Sequence, residues 1–113
     1  MGTQRRSYAA VRIDDLYEGL SVERRRHALS CLRDHDLPIA LADLADEVAV
    51  RERGTRLPAV PAEETNRIYL SLYHAHVPKL VDVGLVTYHQ DRDLVGAAPS
   101  VDLEEVLEGR LER

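Results

Sequence analysis

The sequence has no phenylalanine and no tryptophan, and only one cysteine and one lysine among its 113 residues. Without the two largest aromatic residues, the core has to be built from aliphatic side chains, with the five tyrosines at its edges. The single cysteine, Cys31, excludes an intramolecular disulfide framework and a cysteine-rich zinc finger. These absences favour a small aliphatic domain in a reducing compartment.

Membrane and enzyme signatures are missing too. No apolar run is long enough to span a bilayer, and Arg12, Asp14 and Asp15 interrupt any signal-peptide hydrophobic region. The sequence contains no glycine-rich phosphate loop, no Gly-x-Ser-x-Gly turn and no His-Glu-x-x-His pair. We therefore expect a cytoplasmic protein with no membrane contact, no catalytic residues and no cofactor.

Arginine supplies nearly all of the positive charge in this sequence. Fourteen of the fifteen basic residues are arginines, and the formal net charge is −5, which does not by itself indicate a polyanionic partner. The densest basic run, residues 24–26, is either a solvated helix face or a phosphate contact. Abundant Asp, Glu, Val, Ala and Arg with scarce lysine resembles the composition of proteins from salt-loving archaea.

The length of the chain suits one domain, residues 1–113, with a single core. Hydrophobic periodicity and capping residues predict a mainly α fold with a small β-hairpin (α+β). The predicted order is a lead-in helix within 1–20, a helix from 21 to about 35, a helix at 41–53, a third and longest helix at about 61–83, a hairpin at 85–98 and a terminal helix at 100–113.

The third helix carries two histidines whose side chains are not expected to meet. His74 and His76 are two residues apart, so a metal shared between them on a regular helix is geometrically poor. His76 falls on the apolar side and is expected at the edge of the core, with one ring nitrogen hydrogen-bonded. His74 falls on the outward side with Arg67 and Ser71, and this outward triplet is either a binding surface or an ordinary solvated face.

Two further features of the helices leave alternatives open. Pro78 lacks the N–H that would bond to the carbonyl of His74, which predicts a bend that either follows a curved groove or serves packing. His27, Cys31 and His35 recur at four-residue steps, a spacing suited to a metal site or a redox sensor. The alternative for this strip is that Cys31 is a half-buried apolar residue.

The order of three helices, a hairpin and a terminal helix is that of a winged helix-turn-helix domain. The stretch "HVPKLVDVGLV" resembles the end of a recognition helix that runs into its wing. With "RRRHALSCLRDHDLPIALADLADEV", the stretch "IYLSLYHAHVPKLVDVGLV" resembles a haloarchaeal family of small winged-helix domains of unassigned function, similar in shape to arsenic-repressor-type regulators. The resemblance covers roughly residues 20–96, and it departs from a tight helix-turn-helix at the longer loop "RGTRLPAVPAEE".

The resemblance and the outward triplet lead to the hypothesis of a DNA-binding transcriptional regulator. Its third helix would enter the major groove of double-stranded DNA, and its hairpin would be the wing. The outward triplet would approach base edges or phosphates, and the other basic candidates would hold the DNA backbone. The predicted DNA-binding residues are Arg56, Arg67, Ser71, His74, Lys79 and Arg92.

A homodimer is expected because a terminal helix with so much apolar surface needs something to pack on. The predicted interface residues are Leu16, Val101, Leu103, Val106, Leu107 and Leu111. The alternative hypothesis is a winged-helix protein-interaction module without DNA binding. The acidic wing and the apolar Leu70 and Val81, near the presumed DNA face, favour this alternative.

Overall fold

A computed structural model describes residues 22–54 and 59–109 of the chain. Its elements are α1 (Glu23–Arg33), β1 (Ile39–Ala40), α2 (Leu41–Arg53), α3 (Ala62–Ser71), a π-helical segment (Leu72–His76), α4 (Val77–Asp82), β2 (Val86–His89), β3 (Leu94–Ala97) and α5 (Leu103–Leu107). The mainly helical composition with a small antiparallel sheet confirms the predicted α+β class. The predicted lead-in helix within 1–20 lies outside the described residues. Within residues 22–54 and 59–109, no helix is long and apolar enough to cross a membrane.

The sheet has three antiparallel strands in the order β1-β3-β2. Strands β2 and β3 form the predicted hairpin, with Val86 opposite Ala97 and His89 opposite Leu94. Strand β1, which the sequence pattern did not predict, pairs Ile39 with Val95 on the other edge of β3. Its two residues are too few to show the alternation by which strands are recognised.

Gly96 allows the segment before β1 to approach β3 closely. A Cβ at this position would lie 2.9 Å from the Cγ atom of Pro38 and 3.2 Å from its Cα atom. The proline ring has little freedom to move away, because it is fixed to the backbone. A residue without a side chain is therefore required for β1 and the hairpin to belong to one sheet.

The core is aliphatic, as the composition predicted. Its largest fully buried side chains are mostly leucines and valines, which come from all the helices and from the hairpin region. No polar or charged residue is buried among those that the structure describes. Tyr69 and Tyr88 pack against the margin of this core and remain partly exposed. Burial of these side chains is the main source of stability, at about 25 cal/mol per Å² of apolar surface.

The third predicted helix is continuous over residues 62–82, and we call it the long helix. It comprises α3, the π-helical segment and α4, and the backbone at both junction residues, Leu72 and Val77, is right-handed helical. Its end agrees with the predicted stop, since Gly84 adopts a φ of +86° that other residues rarely take. The interior of the helix nevertheless departs from the regular α geometry that the prediction assumed.

The π-helical segment changes which residues of the long helix are buried. The buried positions are Ile68, Leu72, Val77, Leu80 and Val83. The step from Leu72 to Val77 is five residues, whereas the other steps are three or four. The N–H of Val77 donates to the carbonyl of Leu72, which is the five-residue hydrogen bond of a π turn. The extra residue returns α4 to the core, and it explains why regular helical spacing did not select Val77.

Pro78 lies at the second position of α4, directly after the π turn. A proline is tolerated in the first turn of a helix, because the N–H that it lacks has no partner there in a regular helix. The sequence predicted a lost hydrogen bond to the carbonyl of His74 and a bend. In the structure, the proline coincides with the π turn, which serves packing by shifting the register of the buried face.

The terminal helix α5 is shorter than predicted and is packed on α1. Asp102 caps it, as expected, by accepting hydrogen bonds from the N–H groups of Glu104 (3.0 Å) and Glu105 (3.4 Å). Leu103 and Val106 are only 4% and 1% exposed.

Side chains that are already covered have almost no surface left for a second chain, so the structure corrects the predicted roles of two residues. Leu103 and Val106 belong to the intrachain core and not to a dimer interface. Val101 and Leu107 are half-buried against the same core. Leu16 and Leu111 lie outside the described residues, and the homodimer itself stays a prediction.

We expect Gly96→Ala to lower the free energy of unfolding by about 1–3 kcal/mol, because the added methyl group would overlap Pro38. Urea denaturation measures this change. Ala97→Ser, at the exposed neighbouring position, is the matched control. In a Pro38→Ala background, which removes the closest contact atom, Gly96→Ala should cost clearly less; an equal cost in both backgrounds would contradict the steric explanation.

Candidate functional site

One side of the long helix is open to solvent and lies beside the hairpin; we call it the outward face. Its exposed residues recur at three- and four-residue steps: Asn66, Arg67, Leu70, Tyr73, His74, Pro78 and Val81. Between this face and β2 runs a groove of about 500 Å³, lined by Tyr73, His74, Val77, Pro78, Val81, Asp82, Tyr88 and Gln90. The groove and the outward face together form the candidate site.

Two of the predicted DNA-binding residues lie on the outward face. Arg67 and His74 are both exposed, and the His74 ring packs edge-on against the Tyr73 ring at a centroid distance of 4.9 Å. This contact orients the imidazole and leaves it accessible to a ligand from the solvent side. Arginine and histidine at such positions can donate hydrogen bonds to phosphate oxygens or to base edges.

Ser71 is engaged within the chain. It is half-buried, and its Oγ atom accepts a hydrogen bond of 3.2 Å from Arg24 of α1. The outward triplet predicted from a regular helical wheel is therefore divided. Ser71 serves the contact between the long helix and α1, whereas Arg67 and His74 remain on the surface.

The remaining predicted residues are not on the outward face of the long helix. Arg92 is exposed in the turn of the hairpin, and Lys79 is half-buried on α4. Arg56 lies outside the described residues. The candidate site thus combines two basic positions of the outward face and hairpin turn, Arg67 and Arg92, with the imidazole of His74.

Asp93 organises the junction between the hairpin and the long helix. Its Oδ2 atom accepts a hydrogen bond of 2.9 Å from the hydroxyl of Tyr69, and its Oδ1 atom accepts a short one from the hydroxyl of Tyr88. Its carbonyl accepts a third from the N–H of Leu41 at 2.9 Å. We call Tyr69, Asp93 and Tyr88 the Asp93 cluster.

The Asp93 cluster was missed by sequence reasoning, which considered the acidic residues of the wing as favouring a protein-interaction module. Asp93 has a φ of +55°, and aspartate is one of the few residue types that tolerate this conformation. The hydrogen bond to Asp93 raises the pKa of Tyr88 to about 12, and the same interaction raises the pKa of Tyr69. The sequence signal was the Asp-Arg-Asp turn, but one of its two tyrosine partners, Tyr69, lies 24 residues away in the chain.

Two arginines of the run on α1, Arg24 and Arg25, make contacts within the protein. Arg24 makes a two-pronged ion pair with Glu52 of α2, at 2.5 and 2.7 Å, and this hydrogen bonding raises its pKa. Arg25 donates to the Nδ1 atom of His76 at 3.3 Å. That bond confirms the prediction of a hydrogen-bonded His76 at the edge of the core, where burial and the nearby arginines lower its pKa.

The strip of His27, Cys31 and His35 does not converge on one point. His35 bonds to Glu47 at 2.9 Å, whereas the sulfur of the fully buried Cys31 accepts a hydrogen bond from Arg51 at 3.1 Å. Within residues 22–54 and 59–109, no group of three or more His, Cys, Asp or Glu residues could hold a metal ion. Burial raises the pKa of the Cys31 thiol to about 11, which favours the apolar interpretation.

Residues 17–96 match a family model described as a domain of unknown function, DUF7344. The match covers more than half of the chain. The chain belongs to this family. Neither the curated proteins nor the solved structures give a significant match. The DUF7344 segment includes α1 to β2, the outward face and the Asp93 cluster, and it ends within β3, so α5 lies outside it.

We expect the thiol of Cys31 to be unreactive towards a disulfide reagent in the native DUF7344 protein. The side chain is 0% exposed, and burial disfavours the thiolate that would attack the reagent. The reaction of the thiol would be followed by the absorbance of the reagent, first in the folded protein and then after unfolding in urea. The unfolded protein is the control. A fast stoichiometric reaction of the folded protein would instead revive the redox-sensor hypothesis.

We expect Tyr88 to make stability sensitive to alkaline pH. Its folded pKa of about 12 exceeds the ordinary value of 10.0, so its hydrogen bond contributes fully below pH 10 and is lost as the pH rises towards 12. Tyr88→Phe should therefore be less stable at neutral pH and lose less stability across that window, as measured by urea unfolding at a series of pH values. Tyr73→Phe is the control, and an unchanged pH dependence in Tyr88→Phe would contradict the assignment.

Proposed function

We propose that this protein is a non-catalytic, cytoplasmic winged-helix regulator that binds double-stranded DNA through the outward face and the hairpin. The supporting connectivity is α1-β1-α2, then the long helix, then β2-β3, with the sheet order β1-β3-β2. In a winged helix, a short strand after the first helix pairs with the hairpin that follows the third. The order of elements here agrees with that arrangement, including the strand that the sequence did not reveal.

One observation carries the proposal: the outward face exposes Arg67 and His74 beside a hairpin whose turn exposes Arg92. The major groove is about 12 Å wide and admits an α-helix. An arginine on that helix can bond to a guanine edge or a phosphate, while a hairpin at its side can reach the backbone. His74 would add a hydrogen-bond donor on the same face.

The negative net charge limits how such a protein can bind DNA. The formal charge is −5, and Arg24 and Arg25 are already bonded to groups within the chain. In the salt-loaded cytoplasm that we propose for this protein, counterion release contributes little to DNA affinity. Base contacts and water-mediated contacts would then have to supply the affinity, so a broad basic patch is not required.

A second candidate function, a protein-interaction module, is favoured by the apolar part of the outward face. Leu70, Tyr73 and Val81 are 44%, 37% and 41% exposed, and with the exposed Pro78 they follow the length of the helix. Contiguous exposed apolar residues on a soluble domain often mark a protein interface. On this hypothesis a partner protein, and not DNA, would cover the helix.

The homodimer is part of the first proposal, because DNA half-sites are commonly bound by two-fold related domains. With Leu103 and Val106 assigned to the core, its interface would have to use other residues, among which Val101 and Leu107 keep some exposed surface. Sedimentation equilibrium of the full chain at low and molar KCl measures the oligomeric state directly.

We expect sequence-selective DNA binding that persists in high salt. Fluorescence anisotropy with the DNA upstream of the protein's own coding sequence, and with a shuffled control, would be titrated from low to molar KCl. Arg67→Ala should weaken selective binding by about 1–3 kcal/mol if the arginine contacts a base edge. Arg92→Ala should weaken binding to both sequences alike and reduce the salt dependence by about one charge.

Arg33→Ala is the matched control for the loss of one positive charge. Arg33 is exposed at the end of α1, where it pairs with Asp34 at 3.3 Å, away from the outward face. It should leave selective binding unchanged. No selective binding by the wild type at any salt concentration would contradict the proposal and favour the protein-interaction module.

A further inference from the structure

Three segments of the chain meet at Asp93, which follows the exposed Arg92 in the hairpin turn. Tyr88 bonds to its carboxylate from within the hairpin, and Tyr69 bonds to it from α3. The N–H of Leu41, at the start of α2, bonds to its carbonyl. Tyr88 thus shapes the turn locally, whereas Tyr69 ties the turn to the long helix.

The backbone at Asp93 is held in an unusual conformation. Among the described residues, Asp93 is the non-glycine residue with a positive φ, +55°, a conformation that few residue types adopt. The turn is closed by two further hydrogen bonds, from the N–H of Arg92 to the carbonyl of His89 and from the N–H of Asp93 to that of Gln90. An uncommon conformation persists only where its surroundings fix it. Here the hydrogen bonds from Tyr69, Tyr88 and the N–H of Leu41 to Asp93 do so.

The same contacts lie between Arg67 and Arg92, the two basic residues that we propose bind DNA. Arg92 precedes Asp93 directly, and Arg67 lies two residues before Tyr69 on α3. We propose that Tyr69 is a positioning residue, which, through Asp93, holds Arg92 at a fixed place relative to Arg67 so that helix and hairpin bind one duplex together. This inference rests on the proposed function.

A preformed arrangement of this kind increases affinity because the hairpin does not have to be ordered when DNA binds. A hydrogen bond to a charged group is stronger than one between neutral groups. Removal of the Tyr69 hydroxyl should therefore loosen the turn while the aromatic ring, which packs on the core margin and stacks on Tyr73 at 6.4 Å, stays in place. The positioning role predicts that Arg92 then loses its contribution to binding.

The first readout needs no DNA. Amide hydrogen exchange would be measured for the N–H of Leu41 and for the hairpin strands, with the amides of α1 as the internal reference. In Tyr69→Phe, and in Asp93→Asn, which keeps a residue tolerant of positive φ, exchange of these amides should rise roughly tenfold or more. Tyr73→Phe, one turn along the same helix, is the control and should match the wild type.

The second readout is a double-mutant cycle in DNA binding. Arg92→Ala is compared in the wild-type and the Tyr69→Phe backgrounds by the same anisotropy titration. We expect it to weaken binding in the wild type and to have no further effect in Tyr69→Phe, because an unfixed Arg92 no longer contributes. Arg67→Ala should still weaken binding in both backgrounds, which a general loss of structure would not allow.

The outcomes separate this inference from the function on which it rests. Unchanged exchange in both Tyr69→Phe and Asp93→Asn would overturn the fixing of the turn. Faster exchange with an undiminished effect of Arg92→Ala would overturn the positioning role. If the wild type binds no DNA, the proposed function and the positioning of Arg92 both fail, and the exchange data still show whether Tyr69 fixes the hairpin.

Discussion

Burial of one aliphatic face of the long helix is the constraint on which the rest of the structure depends. Ile68 and Leu72 reach the core from α3, and Val77, Leu80 and Val83 reach it after the π turn. In a regular helix at about 100° per residue, Val77 would lie on the side opposite Ile68. The extra residue keeps both groups buried and thereby determines which side chains form the outward face.

Polar contacts then set the position of the surrounding elements. Arg24 joins α1 to Glu52 of α2 and to Ser71 of the long helix, and Asp93 joins the hairpin to α3 and α2. These groups are only partly buried, so their ion pairs and hydrogen bonds add modestly to stability and mainly select one arrangement. This use of Arg24 within the fold leaves any DNA contact to other basic groups, such as the exposed Arg67 and Arg92.

Local patterns were sufficient for much of this fold. The spacing of apolar residues located α1, α2, the long helix and the hairpin, and His76 was correctly placed at the edge of the core. The candidate site was recovered only in part, since Arg67 and His74 remain outward while Ser71 turns to α1. Helical periodicity fails at Ser71 because it carries no information about Arg24, which reaches this residue from another helix.

The sequence by itself determined the composition of the core and the order of the helices, because both follow from short-range spacing and from the absence of Phe and Trp. Only the tertiary structure decided the pairing of β1 with β3 and the contact of Tyr69 with Asp93. It also decided that Leu103 and Val106 are buried within one chain. Each of these depends on contacts between residues that are distant in sequence, and local chemistry gives no measure of how close such residues come in space.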